Sequence, residues 1–349
     1  TRAGSATRVN KEGLIEVVGN NEPRIDFSND SKGALLLEPT RTNRFLHSED
    51  LTQFDLSSSG IGASNPVVTS NYGISPNGTQ NADRVQLYAG TDASGNSRIT
   101  ETFSIFATTE TISVYLKSND GQEHIIDIIQ SNSVQNTATV TSEWKRFSFT
   151  NVNTSPDVYG IGLTGSNGET ADILAWGFQL EEGSYATSYI PTSGSIGTRD
   201  AEQGIDGGAG TPIFSNTSAV WFIDLERIGI DTDSTGSAAA LRNSSFSQQI
   251  RLHFDHPASN IRFRDGLDGF ATISTITGMS ANVRKKIALR IDGSTLSTFS
   301  NGSKIGSDYT APNAFDLGEI DFSAMGFKIH DMRFYNTALS DSELQALTS

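Results

Sequence analysis

Apolar residues in this chain never hold a helical stripe for long. They recur in short runs that alternate with polar residues, and clusters of Gly, Asn, Asp, Ser and Pro separate the runs. A period of two buries one face of a strand, and the turn residues suit the reversals between strands. An antiparallel all-β chain is the reading that fits. In the first half, Ala82 to Leu87, Ile112 to Leu116, Ile125 to Ile129, Thr137 to Val140, Trp144 to Phe149 and Ala171 to Leu180 are expected strands. Their separators include Ser75-Pro-Asn-Gly78, Asn119-Asp-Gly121 and Gly165-Ser-Asn-Gly168. In the second half, Ser218 to Leu225, Gln249 to Phe254, Ile261 to Arg264, Lys286 to Ile291 and Thr295 to Ser300 follow the same rule around Ile291-Asp-Gly293 and Ser300-Asn-Gly302.

Between the halves, the dense run Ile173, Leu174, Trp176 and Phe178 gives way to Gly183, Pro191, Gly194, Gly197, Gly204, Gly207, Gly208 and Gly210. Breakers in that density close one core before another opens near Ile213. A chain of 349 residues also exceeds the roughly 100–150 residues that one core commonly organises. Ahead of both halves, Ala6-Thr-Arg-Val9 and Leu14-Ile-Glu-Val-Val18 flank the turn residues Asn10 to Gly13, which reads as a hairpin. A two-stranded ribbon is marginal alone, so it must dock on the jelly roll, on a neighbouring subunit or on something upstream. At the other end, Ser340 and Glu343 form a capping-box pattern before Leu344 and Leu347, which starts a short helix. The chain is therefore read as all-β: two antiparallel β-sandwich (jelly-roll) domains, preceded by an N-terminal β-hairpin segment and ending in a short helix. The expected boundaries are 1–44 for the docking segment, 45–190 for the first sandwich, 191–212 for a Gly-rich linker and 213–349 for the second.

Residues 1–44 carry seven Lys/Arg and six Asp/Glu, leaving 25 − 7 = 18 against 40 − 6 = 34 for the remainder, within a net charge of −15. So acidic a body repels phosphate backbones and anionic lipid, which argues against nucleic acid and membrane surfaces as partners. There is no cysteine and hence no disulfide. No apolar run of spanning length and no charged-then-apolar leader appears, and Thr1 without a preceding Met suggests a trimmed start.

Several segments resemble those of tailed-phage virion proteins. Trp176-Gly-Phe-Gln-Leu-Glu-Glu-Gly183, Ala186-Thr-Ser-Tyr-Ile-Pro-Thr192 and Thr198-Arg199 resemble the pattern that closes a carbohydrate-binding-module-like jelly roll in that group. Thr1-Arg-Ala3, Ser5-Ala-Thr7, Gly13-Leu-Ile-Glu16, Asn21-Glu-Pro-Arg-Ile-Asp26 and Ala34-Leu-Leu-Leu-Glu-Pro-Thr-Arg-Thr-Asn43 resemble its opening. Asn43-Arg-Phe-Leu-His-Ser-Glu-Asp-Leu51 and Trp144-Lys-Arg-Phe-Ser-Phe-Thr150 resemble jelly-roll strands, the former the first strand. Lys286 to Gly293 with Phe299 to Gly302, and His330 to Leu344, resemble the paired strands and the ending of concanavalin-like, laminin-G-type domains. The resemblance implies a tail-fibre-like or head-fibre-like appendage on the virion surface, extracellular, oligomeric and able to bind host cell-surface polysaccharide. Its other partners would be virion proteins. A purely structural capsid or tail decoration protein is the alternative, and a glycan depolymerase a third.

Catalysis finds little footing in these residues. His47, His124, His253, His256 and His330 have no metal-site spacing, no GxSxG elbow occurs, and a Cys nucleophile is impossible. Glu319-Ile-Asp321-Phe322 approaches the ExDxxE strand of concanavalin-like glycoside hydrolases, but Ala324 stands where the second catalytic carboxylate belongs. Sugar binding instead needs aromatic faces beside hydroxyl-binding polar groups, and Tyr72, Tyr88, Tyr159 and Tyr185 are the candidates. Trp144, Trp176 and Trp221 sit in strand patterns and read as core. The jelly-roll resemblance also implies a structural Ca²⁺ placing Glu49 or Asp50 beside Asp172, whereas Asp231-Thr-Asp233 reads as a polar loop.

Overall fold

Each expected apolar run falls in a strand, Trp144 preceding its strand by one residue. The computed structural model describes residues 1–103, 109–130, 133–152, 157–208, 215–229, 236–254, 259–265, 269–323 and 325–349, without the side chains of Gln135 and Asp157. The Asp231-Thr-Asp233 loop, His256 and Ala324 lie outside them. The described chain is all-β apart from a 3-10 turn at Leu51–Gln53 and a C-terminal helix at Asp341–Thr348. That helix starts with the expected capping box, in which the Ser340 side chain accepts from the Glu343 N–H and Glu343 accepts from the Ser340 N–H.

Two units divide the chain, and both are discontinuous. The first sandwich comprises Ala6–Val17 and Arg41–Arg199; the second comprises Thr1–Ser5, Val18–Thr40 and Asp200–Ser349. The opening 44 residues are thus shared between the units. Within the stretch read as a Gly-rich linker, Gly197–Arg199 pairs with Arg41–Asn43 in the first unit, and Gly204–Gly207 pairs with Glu319–Phe322 in the second.

In the first sandwich the front sheet runs Lys145–Val152, Thr109–Ser118, Thr170–Glu182, Gln80–Tyr88, Ser64–Ile74, and the back sheet runs Ser133–Val140, His124–Gln130, Asp157–Thr164, Asn96–Phe103, Asp55–Ser59. Inward residues of both sheets, among them Val85, Leu87, Ile112, Val114, Ile126, Ile128 and Ile161, make one core with Phe45, Phe54 and Phe178. The first-strand expectation for Asn43 to Leu51 needs correction. Regular pairing ends at Asn43, whose amide donates to the Phe178 and Ile190 carbonyls, and the chain then crosses inward to bury Phe45 and Leu51 completely.

Gly177 sets which side chains face the front. It has φ +69 and sits where the Thr109–Ser118 pairing slips by one residue, a bulge of the glycine-dependent kind. Strict alternation would put Trp176 and Phe178 on one face. Across the bulge Phe178 turns into the core, while Trp176 joins Ile15, Ala82 and Tyr189 in a separate cluster with Val9, Tyr115 and Trp144 around it. The expected core tryptophan is therefore buried, but on the outer face, under the N-terminal hairpin. Ile15 N–H also donates to the Pro76 carbonyl, so the ribbon docks on the jelly roll.

The second sandwich has a six-stranded sheet, Gly204–Gly207, Glu319–Phe322, Gly236–Arg242, Gln248–Phe254, Ser259–Asp265, Ala271–Ile276, and a seven-stranded one, Ser303–Thr310, Thr295–Ser300, Val283–Asp292, Ser218–Arg227, Phe327–Tyr335, Ala34–Leu37, Ile25–Asp26. Trp221, Leu241, Ile250, Leu252, Phe263 and Leu289 belong to its core.

Candidate functional site

On the front sheet of the first sandwich, Val85 and Leu87 point into the core, so Arg84, Gln86 and Tyr88 of the same strand point outward. Beside them runs Thr170–Glu182, with Asp172 opposite Gln86. Arg84 reaches across diagonally and binds Asp172 with both prongs, Nε to Oδ1 at 2.9 Å and Nη2 to Oδ2 at 2.5 Å. Asn119 completes the arrangement: its side-chain amide donates to Asp172 Oδ1 at 3.2 Å and its backbone N–H to the Asp172 carbonyl. A bidentate pair fixed by a third group is rigid, which suits recognition of hydroxyls.

The Arg84 guanidinium lies 5.1 Å from the centre of the Tyr72 ring, and Tyr72 is 46% exposed. Hydrogen bonding to Asp172 raises the Arg84 pKa above the ordinary guanidinium value, and the nearby Tyr72 and Tyr88 act in the same direction. Tyr72 thus faces the cation, and Tyr88 lies four residues along from Arg84 on the same face of the same strand. Tyr72 is held out by a local irregularity: Asn71 adopts φ +52, and its N–H donates to Asp83, whose other oxygen accepts from the Leu51 N–H. Burial raises the Asp83 pKa, and the two backbone N–H groups offset this in part.

The expected residues distribute unevenly around this site. Tyr72 and Tyr88 belong to it. Tyr185, half-buried, lies 5.5 Å from the Arg41 guanidinium. Tyr159 requires correction, because its ring is fully buried in the sandwich core and its hydroxyl donates to Glu110 Oε2. A ring with no accessible face cannot stack on a sugar. Arg84 and Asn119 escaped the sequence reading: nothing local marks an arginine whose partner lies 88 residues away.

The acids expected to frame a Ca²⁺ do not fit one. Glu49 accepts from Asn81 and from the Tyr189 hydroxyl, Asp50 caps the 3-10 turn through Thr52, and Asp172 is occupied by Arg84. A calcium shell needs roughly six to eight oxygens converging on one point. Among the described residues no group of three or more His, Asp or Glu is placed to hold a metal.

In the second sandwich Glu319 and Asp321 both bind Arg242, which also binds Asp206. Two carboxylates held by one guanidinium are positioned as its counter-ions, not across a glycosidic bond.

No protein family matches the chain, and no curated protein matches it in sequence. Solved structures similar to it include the Caenorhabditis elegans galectin LEC-6, at 16% identity and a TM-score of 0.29 over 38% of this chain and 95% of that one. The family 11 carbohydrate-binding module of Clostridium thermocellum matches at 15% identity and 0.29, over 40% of this chain and 94% of the module. The Trypanosoma rangeli sialidase matches at 11% identity and 0.32; the alignment takes in 83% of this chain but only 62% of the sialidase. A first match, to a sialidase mutant displaying trans-sialidase activity, spans 22% of that protein at a TM-score of 0.30.

Proposed function

We propose that the chain is a non-enzymatic glycan-binding subunit, and that the front sheet of its first sandwich takes a sugar on Tyr72 and Tyr88. The observation that carries this is the Arg84 constellation: an exposed aromatic face beside a guanidinium that Asp172 and Asn119 hold in place. Rings of this kind meet the apolar face of a pyranose while the fixed polar groups meet its hydroxyls. The resemblance of the opening segments and of Trp176 to Arg199 to tailed-phage virion proteins supports a wider reading, in which the chain is a fibre-like appendage on a virion surface that contacts the host polysaccharide. Such a face is open and weak by itself, so several copies engaging one surface together would supply the avidity.

Binding of the full chain to a broad glycan array tests the reading, with oligosaccharide release followed in the same samples. Tyr72→Ala should weaken binding of any captured glycan by about tenfold, the loss of one aromatic contact of roughly 1.4 kcal/mol. Unchanged binding by Tyr72→Ala would remove this face from consideration, and released oligosaccharide would overturn the non-enzymatic part. Failure to capture any glycan would favour a subunit that meets only virion proteins.

A further inference from the structure

The outer face of the six-stranded sheet in the second sandwich carries two rows of side chains that the pairing register sets side by side. One row reads Asp321, Ala240, Arg251, Arg262 and the other Glu319, Arg242, Gln249, Arg264. At one end of the face acids outnumber the base, since Arg242 alone takes Glu319, Asp321 and Asp206. The other end is basic, with Arg251, Arg262 and Arg264 on neighbouring strands. Arg251 and Arg262 are directly opposite one another, an arrangement that destabilises a sheet. Among the described residues neither Arg251 nor Arg264 has a carboxylate partner, in a chain whose net charge is −15.

Arg251 donates through Nε to Gln249, and Arg264 donates through Nη2 to the Phe246 carbonyl, while the buried Nε of Arg264 has no hydrogen-bond partner. Both guanidiniums stack against one ring, at 4.2 Å and 5.0 Å from the centre of Phe270. Burial, together with the charges of Arg264 and Arg262, pushes the Arg251 pKa below its ordinary value, and a bound anion would reverse that. Because Ala240 is small, the face dips between Asp321 and Arg251. The dip is a hollow of about 330 Å³ lined by Ala240, Phe246, Gln249, Arg251, Asp321 and Phe322, and large enough for one ring-sized group. Asp321 is held by Arg242, and Arg264 lies outside the lining, on the ring of Phe270 that it shares with Arg251.

We propose that this hollow binds an acidic saccharide, with Arg251 taking the carboxylate or sulfate of a sugar ring seated over Ala240 and Arg264, on the same Phe270 ring at the rim, adding a second positive charge. Planar guanidinium forks match an oxyanion in two parallel bonds, and the apolar edges of Phe246 and Phe322 are placed to meet the rest of the ring. Selectivity against neutral sugars follows, since a neutral ligand gives Arg251 and Arg264 no counter-charge. The site lies in a different unit from the Tyr72 face and does not depend on it.

The test is titration of the full chain with polygalacturonate, dextran sulfate, uncharged dextran and a single-stranded oligonucleotide, at one low and one high salt concentration. The expected result is salt-sensitive binding of at least one acidic polysaccharide and none of dextran. The polymer that binds tells carboxylate from sulfate. Arg251→Gln with Arg264→Gln should weaken that binding by about tenfold or more, through lost charge-assisted bonds. Arg251→Lys keeps the charge without the fork and should weaken it less, and circular dichroism checks that each variant folds. Lack of binding to both acidic polysaccharides, or equal binding by the double Gln variant, overturns the proposal. So does an oligonucleotide that binds more tightly than either polysaccharide with the same arginine dependence. The two readings fail separately: arginine-dependent acidic binding with an empty neutral-glycan array keeps this inference and sinks the Tyr72 face.

Discussion

Glu101 is a side chain whose protonation the fold alters strongly. Burial in the strand Asn96–Phe103, with Asp55 adding repulsion, pushes its pKa from the ordinary 4.5 up to about 7, and a bond from the Leu46 N–H offsets part of the rise. The folded chain then holds a proton that the unfolded chain releases, so stability is greatest below pH 4.5 for this group and falls as pH rises to about 7. Glu101→Gln should flatten that part of the stability profile and raise the melting temperature at pH 8. Parallel profiles for the two proteins in thermal melts from pH 4 to 8 would show that Glu101 does not titrate in that window. The candidate site itself was partly legible at this scale. Tyr72 and Tyr88 stood out as rings among polar residues, but the same logic chose Tyr159, because composition does not say which way a strand residue points. Asp172 was singled out for calcium, and only the folded register reveals that Arg84 already occupies it.

A strand announces itself most clearly in sequence when one of its faces is buried. Thr109–Ser118, His124–Gln130, Gln248–Phe254 and Val283–Asp292 were foreseen on this ground, whereas Asn96–Phe103, Asp157–Thr164 and Gly236–Arg242, also interior to their sheets, were not. Ser64–Ile74 and Ser303–Thr310 lie at sheet edges and are mostly exposed, and Asp55–Ser59 and Gly204–Gly207 are short edge strands, so no alternating pattern marks them. The bulge in Thr170–Glu182 was hidden for a different reason: the segment reads as one apolar run, while a single left-handed residue divides it between two faces. Gly177→Ala tests this directly. A Cβ there would lie 3.2 Å from Tyr115 Cδ2 and 3.3 Å from Tyr189 Cε2, in a backbone region that costs an L-residue about 1–2 kcal/mol. The variant should lose that much stability in chemical denaturation, with the emission of Trp176 shifting as its cluster loosens. An unchanged midpoint would mean that the bulge does not need glycine.

At the scale of the whole chain, the segments that resemble virion proteins turn out to be fastenings. Arg2, Arg24, Glu38 and Glu202 come from the opening, from Asn21 to Asp26, from Ala34 to Asn43 and from the far side of the first sandwich, and they meet as a buried ion cluster in the second unit. Glu202 is its centre, accepting from Arg2 at 3.0 Å, from Arg24 at 2.7 Å and from the Glu38 N–H at 2.9 Å. Sequence alone could not place these residues together, since pairs as distant as Arg2 and Glu202 are separated by 200 positions, and a continuous reading made 1–44 a single segment. Removing Glu202 leaves two buried guanidiniums, of which Arg24 keeps Glu38 and Arg2 keeps only backbone carbonyls, and loss of one partner from a buried ion pair costs about 3–5 kcal/mol. Glu202→Ala should therefore destabilise the second sandwich by that amount. Gly177 belongs to the other unit, and the groups around it are Tyr115 and Tyr189, none of which contacts Glu202 through the cluster. Losses at sites with no shared partner add to within about 0.5 kcal/mol. Combining Glu202→Ala with Gly177→Ala should then cost the sum of the single variants, about 4–7 kcal/mol. A double variant that departs from the sum by more than about 1 kcal/mol would show the two cores to be energetically coupled, and would refute their treatment as separate units.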